Sequence, residues 1–124
     1  MTKRFGFTYI FCNDLGKMKG FYSEMLRLKL VWESKDSIAY RIGDHQLSII
    51  YNEQFLPPIS RFSIQIGWEG GIEARTSWSL ECPKEDFNLI VESILNSDVP
   101  KYFDKPTWKG YWSFPVLDPM NNTI

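Results

Sequence analysis

The apolar positions of the first half change period in a fixed order. Phe5 to Cys12 crowds aromatic and β-branched residues into one short run, which predicts a strand. Asn13 or Asp14 then offers a short side-chain acceptor for an orphan helix N–H, and Leu15, Met18, Phe21, Tyr22 and Met25 recur at helical spacing as far as Leu26. Gly16 and Gly20 weaken that helix by up to ~1 kcal/mol each relative to Ala. Three short strands follow at Lys29–Glu33, Ser37–Arg41 and His45–Tyr51, with Gly43-Asp44 as the tight turn between the last two. The order is βαβββ.

A connector follows from Glu53 to Ala74, punctuated by Pro57-Pro58 and Gly70-Gly71, with an alternating stretch at Arg61 to Trp68 that predicts an extra strand. The pattern then begins again. Ser77 to Cys82 reads as a strand, Pro83 sits where the first turn of a helix tolerates it, and Phe87, Ile90, Val91, Ile94 and Leu95 form one apolar stripe. Pro100–Phe103 and Lys109–Val116 are further strands, Asp118 to Asn122 is a turn cluster, and Thr123-Ile124 opens a last strand. Placing Cys12 on Cys82 aligns the two strand-to-helix junctions without a gap and sets Phe7 opposite Ser77 and Ile10 opposite Leu80. The two passes match in pattern rather than in identity.

Composition narrows the classes. A chain of 124 residues fits a single domain that buries roughly two-thirds of its unfolded surface. Net charge is −1 with acids and bases interspersed, which argues against a phosphate-tracking surface, so no nucleic-acid partner is expected. No apolar stretch approaches the ~20 residues needed to span a bilayer, and the N-terminal residues run into a strand pattern without a signal peptide's apolar segment, so no membrane partner is expected either. Cys12 and Cys82 are too few and too far apart for a disulfide framework or a zinc ribbon, and a reducing, cytoplasmic setting follows. Aromatics reach 16%, an excess that serves a core, an oligomer surface or a pocket for flat ligands.

Two stretches carry a family resemblance. Cys12-Asn13-Asp14-Leu15, then Gly20-Phe21-Tyr22 and Met25-Leu26-Arg27-Leu28-Lys29-Leu30, are similar to the strand, turn, "FY" helix and "LGL"-type return of the glyoxalase/bleomycin-resistance/dioxygenase (vicinal oxygen chelate) superfamily. Leu117-Asp118-Pro119-Met120-Asn121-Asn122 resembles its "DPdGN" turn. The resemblance implies an α+β fold in which two βαβββ modules, about 4–52 and about 75–124 with a connector at about 53–74, form a cup-shaped mixed sheet completed by a homodimer. It also implies metal ligands at positions that fall on Phe7, Ser48, Ser77 and the residue after Ile124. Phe has no donor atom and a neutral Ser hydroxyl substitutes poorly for imidazole or carboxylate, so neither a metal nor any other cofactor is expected. His45, the only histidine, lies three residues from Ser48 and so faces the other side of its strand.

Alternation then fills the implied cup. Phe7, Tyr9 and Phe11 share one wall, Gln46, Ser48 and Ile50 line the fourth strand, and Ser77, Ser79 and Glu81 form a hydroxyl-lined wall in the second module, with Trp108, Tyr111 and Trp112 near the rim. The ligand-binding candidates are therefore Phe7, Tyr9, Phe11, Gln46, Ser48, Ser77, Ser79, Trp108 and Trp112. The same rings could instead fill the cup or pack across a dimer interface. Glu81 is the one acid on the expected wall and the weak candidate for a catalytic base. Cys12 and Cys82 each precede a helix on its packed side with no histidine beside them, and are expected to be inert thiols. The expectation is metal-independent binding of a small planar aromatic or apolar molecule without chemistry, resembling the bleomycin-resistance branch. The alternative is a metal-dependent lyase, isomerase or oxidoreductase of the same superfamily.

Overall fold

The computed structural model describes residues 2–65, 70–73 and 77–124, and the chain divides into two compact units, Met1–Pro57 and Pro58–Ile124. The division falls within the connector expected at about 53–74.

The first unit follows the order read from the sequence. Strand β1 (Phe7–Cys12) leads through Asp14 into helix α1 (Leu15–Gly20), a π-helical turn (Phe21–Met25), and then β2 (Lys29–Glu33), β3 (Ser37–Ile42) and β4 (His45–Tyr51). Asp14 is the N-cap: its backbone is extended and its carboxylate accepts from the Lys17 amide at 3.0 Å. The strands form a mixed sheet in the order β1-β4-β3-β2, with β1 parallel to β4 and the other pairs antiparallel. Gly43 adopts φ 58°, the left-handed backbone that a two-residue hairpin turn requires and that glycine adopts without a Cβ penalty.

One sheet face packs against the helix. Ile10 and Cys12 of β1, Ile38 and Tyr40 of β3, and Leu47 and Ile49 of β4 are buried, as are Met18, Phe21, Tyr22 and Leu26 of the helical segment. The π turn departs from the single α-helix expected to Leu26. Its signature is the Leu26 amide reaching back to the Phe21 carbonyl at 3.0 Å, which widens the last turn. Phe21 and Tyr22, adjacent in sequence, are thereby both buried with their rings edge to face at 5.2 Å. The Tyr40 hydroxyl lies 2.7 Å from Ser23 Oγ, fastening the same turn to the sheet. Burial pushes the Tyr40 phenol above its ordinary value of 10.0, partly offset by that hydrogen bond and by the Lys19 charge.

In the second unit the described residues form helix α2 (Lys84–Leu95) and a short hairpin of β5 (Thr107–Trp108) and β6 (Trp112–Ser113). Pro83 is the N-cap rather than a first-turn residue, and Ile90, Val91 and Ile94 are the buried part of the predicted stripe. Leu95 is exposed and Phe87 half-buried, so the stripe is narrower than its apolar spacing implied.

The expected strands of this half are mostly reduced to single bridges. Ser77 pairs with Thr123, Lys101 with Val116, Leu117 with Thr123, and Ser63 with Ile72. Residues 79–82 and 109–111 are therefore not strand, and positions 66–68 of the extra strand expected over 61–68 lie outside the described residues. The turn cluster forms around a buried carboxylate. Asp118 Oδ1 accepts from the Met120 and Asn122 amides at 2.8 and 2.9 Å, and Oδ2 from Asn122 Nδ2 at 2.9 Å. This folds the chain back so that Val116 and Ile124 exchange both backbone hydrogen bonds, at 2.8 and 2.9 Å.

Two outcomes follow. Arg27 holds φ 59° just past the π turn, a left-handed conformation that costs a side chain bearing a Cβ about 1 kcal/mol. Arg27→Gly is expected to raise Tm by a few degrees in thermal denaturation. For Tyr40, the folded state binds the phenol proton more tightly than the unfolded chain. That stability is intact below pH 10 and is lost as pH rises through the higher folded value. Chemical denaturation between pH 9 and 12 should show the loss, and Tyr40→Phe should remove this part of it while costing about 1 kcal/mol at neutral pH.

Candidate functional site

The pleat of the first sheet decides which side chains reach its open face. On β1, Phe7, Tyr9 and Phe11 are 58, 55 and 44% exposed, while the alternate residues Ile10 and Cys12 are buried. In register, Phe7, Tyr9 and Phe11 lie beside Gln46, Ser48 and Ile50 of β4, which lie beside Arg41, Ala39 and Ser37 of β3. Paired residues share a face, so these side chains stand on the side away from α1. The first-module candidates are thus brought onto one surface.

Trp32 joins them on this face, although alternation alone does not select it, and the reason is physical. Simple alternation from Lys29 turns Trp32 toward the helix. A bulge between Leu30 and Trp32 shifts the register, pairs Trp32 with Ala39 and sends the indole to the open face, where it is 59% exposed. Its Nε1–H donates to Ser37 Oγ at 3.2 Å, which fixes the ring over the sheet.

Between the Tyr9 and Trp32 rings lies a concavity of about 250 Å³, lined also by Ser37, Ala39, Gln46, Ser48 and Ile50. Gln46 Nε2 donates to Ser48 Oγ at 3.2 Å, and Ser48 is buried at its floor. Because Ser48 accepts that bond, its own proton remains to be donated. Phe7 and Tyr9 meet edge to face at 5.1 Å, and Phe11 lies 6.3 Å from Phe55. The surface therefore combines ring faces with a small polar floor.

The second-unit candidates are described within that unit. Ser77, Ser79 and Glu81 are exposed while Trp78, Leu80 and Cys82 are half-buried, so the alternation holds although Ser77 alone forms a bridge. Ser77 Oγ accepts from Gln65 Nε2 at 3.1 Å. Glu81 is exposed. Burial first, and then the Asp86 carboxylate, push the Cys82 thiol upward, away from the thiolate a nucleophile needs. Trp108 and Trp112 pair across the β5–β6 hairpin with centroids 5.4 Å apart, and both remain about 60% exposed, as does Tyr111 in the turn.

The three positions of the implied donor set that the chain contains do not suit a divalent metal. Phe7 supplies no ligand atom, Ser48 and Ser77 are neutral hydroxyls already accepting amide hydrogen bonds, and among the described residues no three His, Cys, Asp or Glu side chains gather around one point. His45 is committed to the helix side of the sheet, with Nε2 2.9 Å from Thr8 Oγ1 and its ring against Phe5.

A mixed α+β chain with a four-stranded β1-β4-β3-β2 sheet under one short helical segment is consistent with the glyoxalase fold. A model of the Glyoxalase/Bleomycin resistance protein/Dioxygenase superfamily matches residues 4–124, and the chain belongs to that superfamily. Among solved structures it is similar to a glyoxalase/dioxygenase from Nostoc punctiforme (TM-score 0.77, 12% identity, covering 98% of this chain and 88% of that one). It is also similar to a lactoylglutathione lyase from Agrobacterium tumefaciens (0.65, 15%, 98% and 90%). A third is the fosfomycin resistance protein FosX from Mesorhizobium loti (0.66, 15%, 99% and 88%). Identities this low carry the fold alone. Comparison with curated protein sequences finds no match.

The donor chemistry predicts that adding Zn²⁺, Ni²⁺ or Mn²⁺ leaves Tm unchanged within about 1 °C. A rise of several degrees that a chelator reverses would contradict this.

Proposed function

We propose that this chain binds a small planar aromatic or apolar molecule on the open face of its first sheet, without a metal and without chemistry. The reading resembles sequestration by the bleomycin-resistance branch of its superfamily. One observation carries it: Phe7, Tyr9, Phe11 and Trp32 hold their rings in water on a sheet face whose floor bears hydrogen-bonding groups but no metal ligand. Leaving four large rings about half exposed forgoes further burial worth roughly 1 kcal/mol or a little more for each, a cost that a bound ligand or a second subunit offsets. A homodimer built from two βαβββ modules per chain is part of the same proposal. So is a reducing, cytoplasmic setting, in keeping with two free cysteines. No helix among the described residues is long and apolar enough to cross a membrane.

The test is a thermal-shift screen of planar aromatic compounds followed by calorimetry on the best of them. Stoichiometric binding at one ligand per chain is expected, with the ligand recovered unchanged. Tyr9→Ala and Trp32→Ala should each weaken binding about 2- to 10-fold, as expected for a stacking contact of ~0.5–1.5 kcal/mol. Turnover of the compound, or no stabilisation by any aromatic, would contradict the proposal.

A further inference from the structure

The rings say that a ligand is flat; the charges on the same face say more. Resting on the binding reading above, we infer that the preferred ligand is an aromatic anion, a planar ring system bearing a carboxylate, whose charge is held by Arg41 and Lys29.

The argument is a census of one sheet face. Arg41 pairs with Gln46 on one side and with Lys29 on the other, so Phe7, Gln46, Arg41 and Lys29 form one row across the four strands on the open face. The next row is Tyr9, Ser48, Ala39 and Trp32, the walls and floor of the concavity. Arg41 is two residues from Ala39, about 7 Å along the strand, within reach of its own long side chain. Every charged residue that the pairing puts on this face is a cation. Glu33, the one acid within these four strands, pairs with Ile38 on the helix side, where its Oε2 lies 2.6 Å from Lys19 Nζ.

Both cations are free to act. Arg41 and Lys29 are exposed, and neither forms an ion pair with a described residue, whereas Lys19, Lys17 and Arg4 are each paired with a carboxylate. The chain as a whole is slightly acidic at −1, so this local excess is not a general basicity. The floor agrees with the charge. Ser48 retains a proton to donate, which favours a ligand edge rich in acceptors. A concavity of about 250 Å³ lies just below the ~300–1,000 Å³ of drug-sized sites and so suits a one- or two-ring acid. Stacking between Tyr9 and Trp32 would hold the ring, and the Arg41 fork would take the carboxylate in two parallel hydrogen bonds.

Matched probes separate the charge from the rings. Calorimetry with 2-naphthoate, its neutral isostere 2-naphthamide and the cation 2-naphthylmethylammonium should give affinities in that order, the anion leading the amide by roughly tenfold at low salt. The lead should shrink as ionic strength rises. In the Arg41→Gln/Lys29→Gln double variant, whose two sites are exposed and whose fold is checked by circular dichroism, the ratio of naphthoate to naphthamide affinity should fall toward one. Equal binding of the amide, or a preference that survives in the double variant, would overturn the charge assignment and leave the binding surface standing. Failure of all three probes to bind would overturn both.

Discussion

A single helical layer covers one face of a four-stranded sheet, and the rest of the first unit depends on that constraint. Strand side chains alternate, so burying Ile10, Cys12, Leu47 and Ile49 against α1 and its π turn commits Phe7, Tyr9, Phe11, Gln46, Ser48 and Ile50 to the other side. A slip of one residue in β1 would exchange the two sets and turn three aromatic rings onto the face that Ile10 and Cys12 now occupy. The buried face sets the register, and the register aims the open face. The candidate site is therefore a by-product of packing.

The π turn belongs to the same constraint. Ser23 and Tyr40 join the helical segment to β3 at 2.7 Å, and the Lys19–Glu33 pair joins it to β2. These polar ties lie along the margin of the helix–sheet contact and fix the helix over the sheet. The pairing of Glu33 with Lys19 also keeps that carboxylate off the open face, whose charge is then left to Arg41 and Lys29. In the second unit, Asp118 has the organising part. Its carboxylate turns the chain at Met120 to Asn122 and returns Thr123 to the Ser63 amide, whose N–H donates to Thr123 Oγ1 at 2.8 Å.

The first half was legible in the sequence almost residue by residue because its signals are local. Asp14 caps, Gly43-Asp44 turns, and β-branched runs between them leave little choice of strand. Two features escaped for one reason. The π turn and the bulge at Val31 each insert a residue into a regular period, and neither glycine content nor apolar spacing announces an insertion. The bulge mattered more, since it carries Trp32 to the site. The second half was less legible because a strand exists only with a neighbour to pair with. Residues 79–82 alternate as a strand does and expose their side chains accordingly, yet lack a ladder partner among the described residues. Nothing within Ser77–Cys82 itself could reveal that. The positions that the resemblance implies for metal ligands, Phe7, Ser48 and Ser77, are a matter of residue chemistry alone, which needs no pairing to interpret.

The central claim is that the open face of the first sheet, rather than the Trp-bearing hairpin or the half-buried thiol, is where a ligand sits. A titration of 2-naphthoate into the isotopically labelled protein, followed by amide and indole NMR shifts, tests it most directly. Saturable shifts clustered at Tyr9, Gln46, Ser48, Ala39 and the Trp32 indole are predicted, with residues 107–113 unmoved. Shifts confined to that hairpin, or no saturable shift on β1, β3 and β4, would contradict the account.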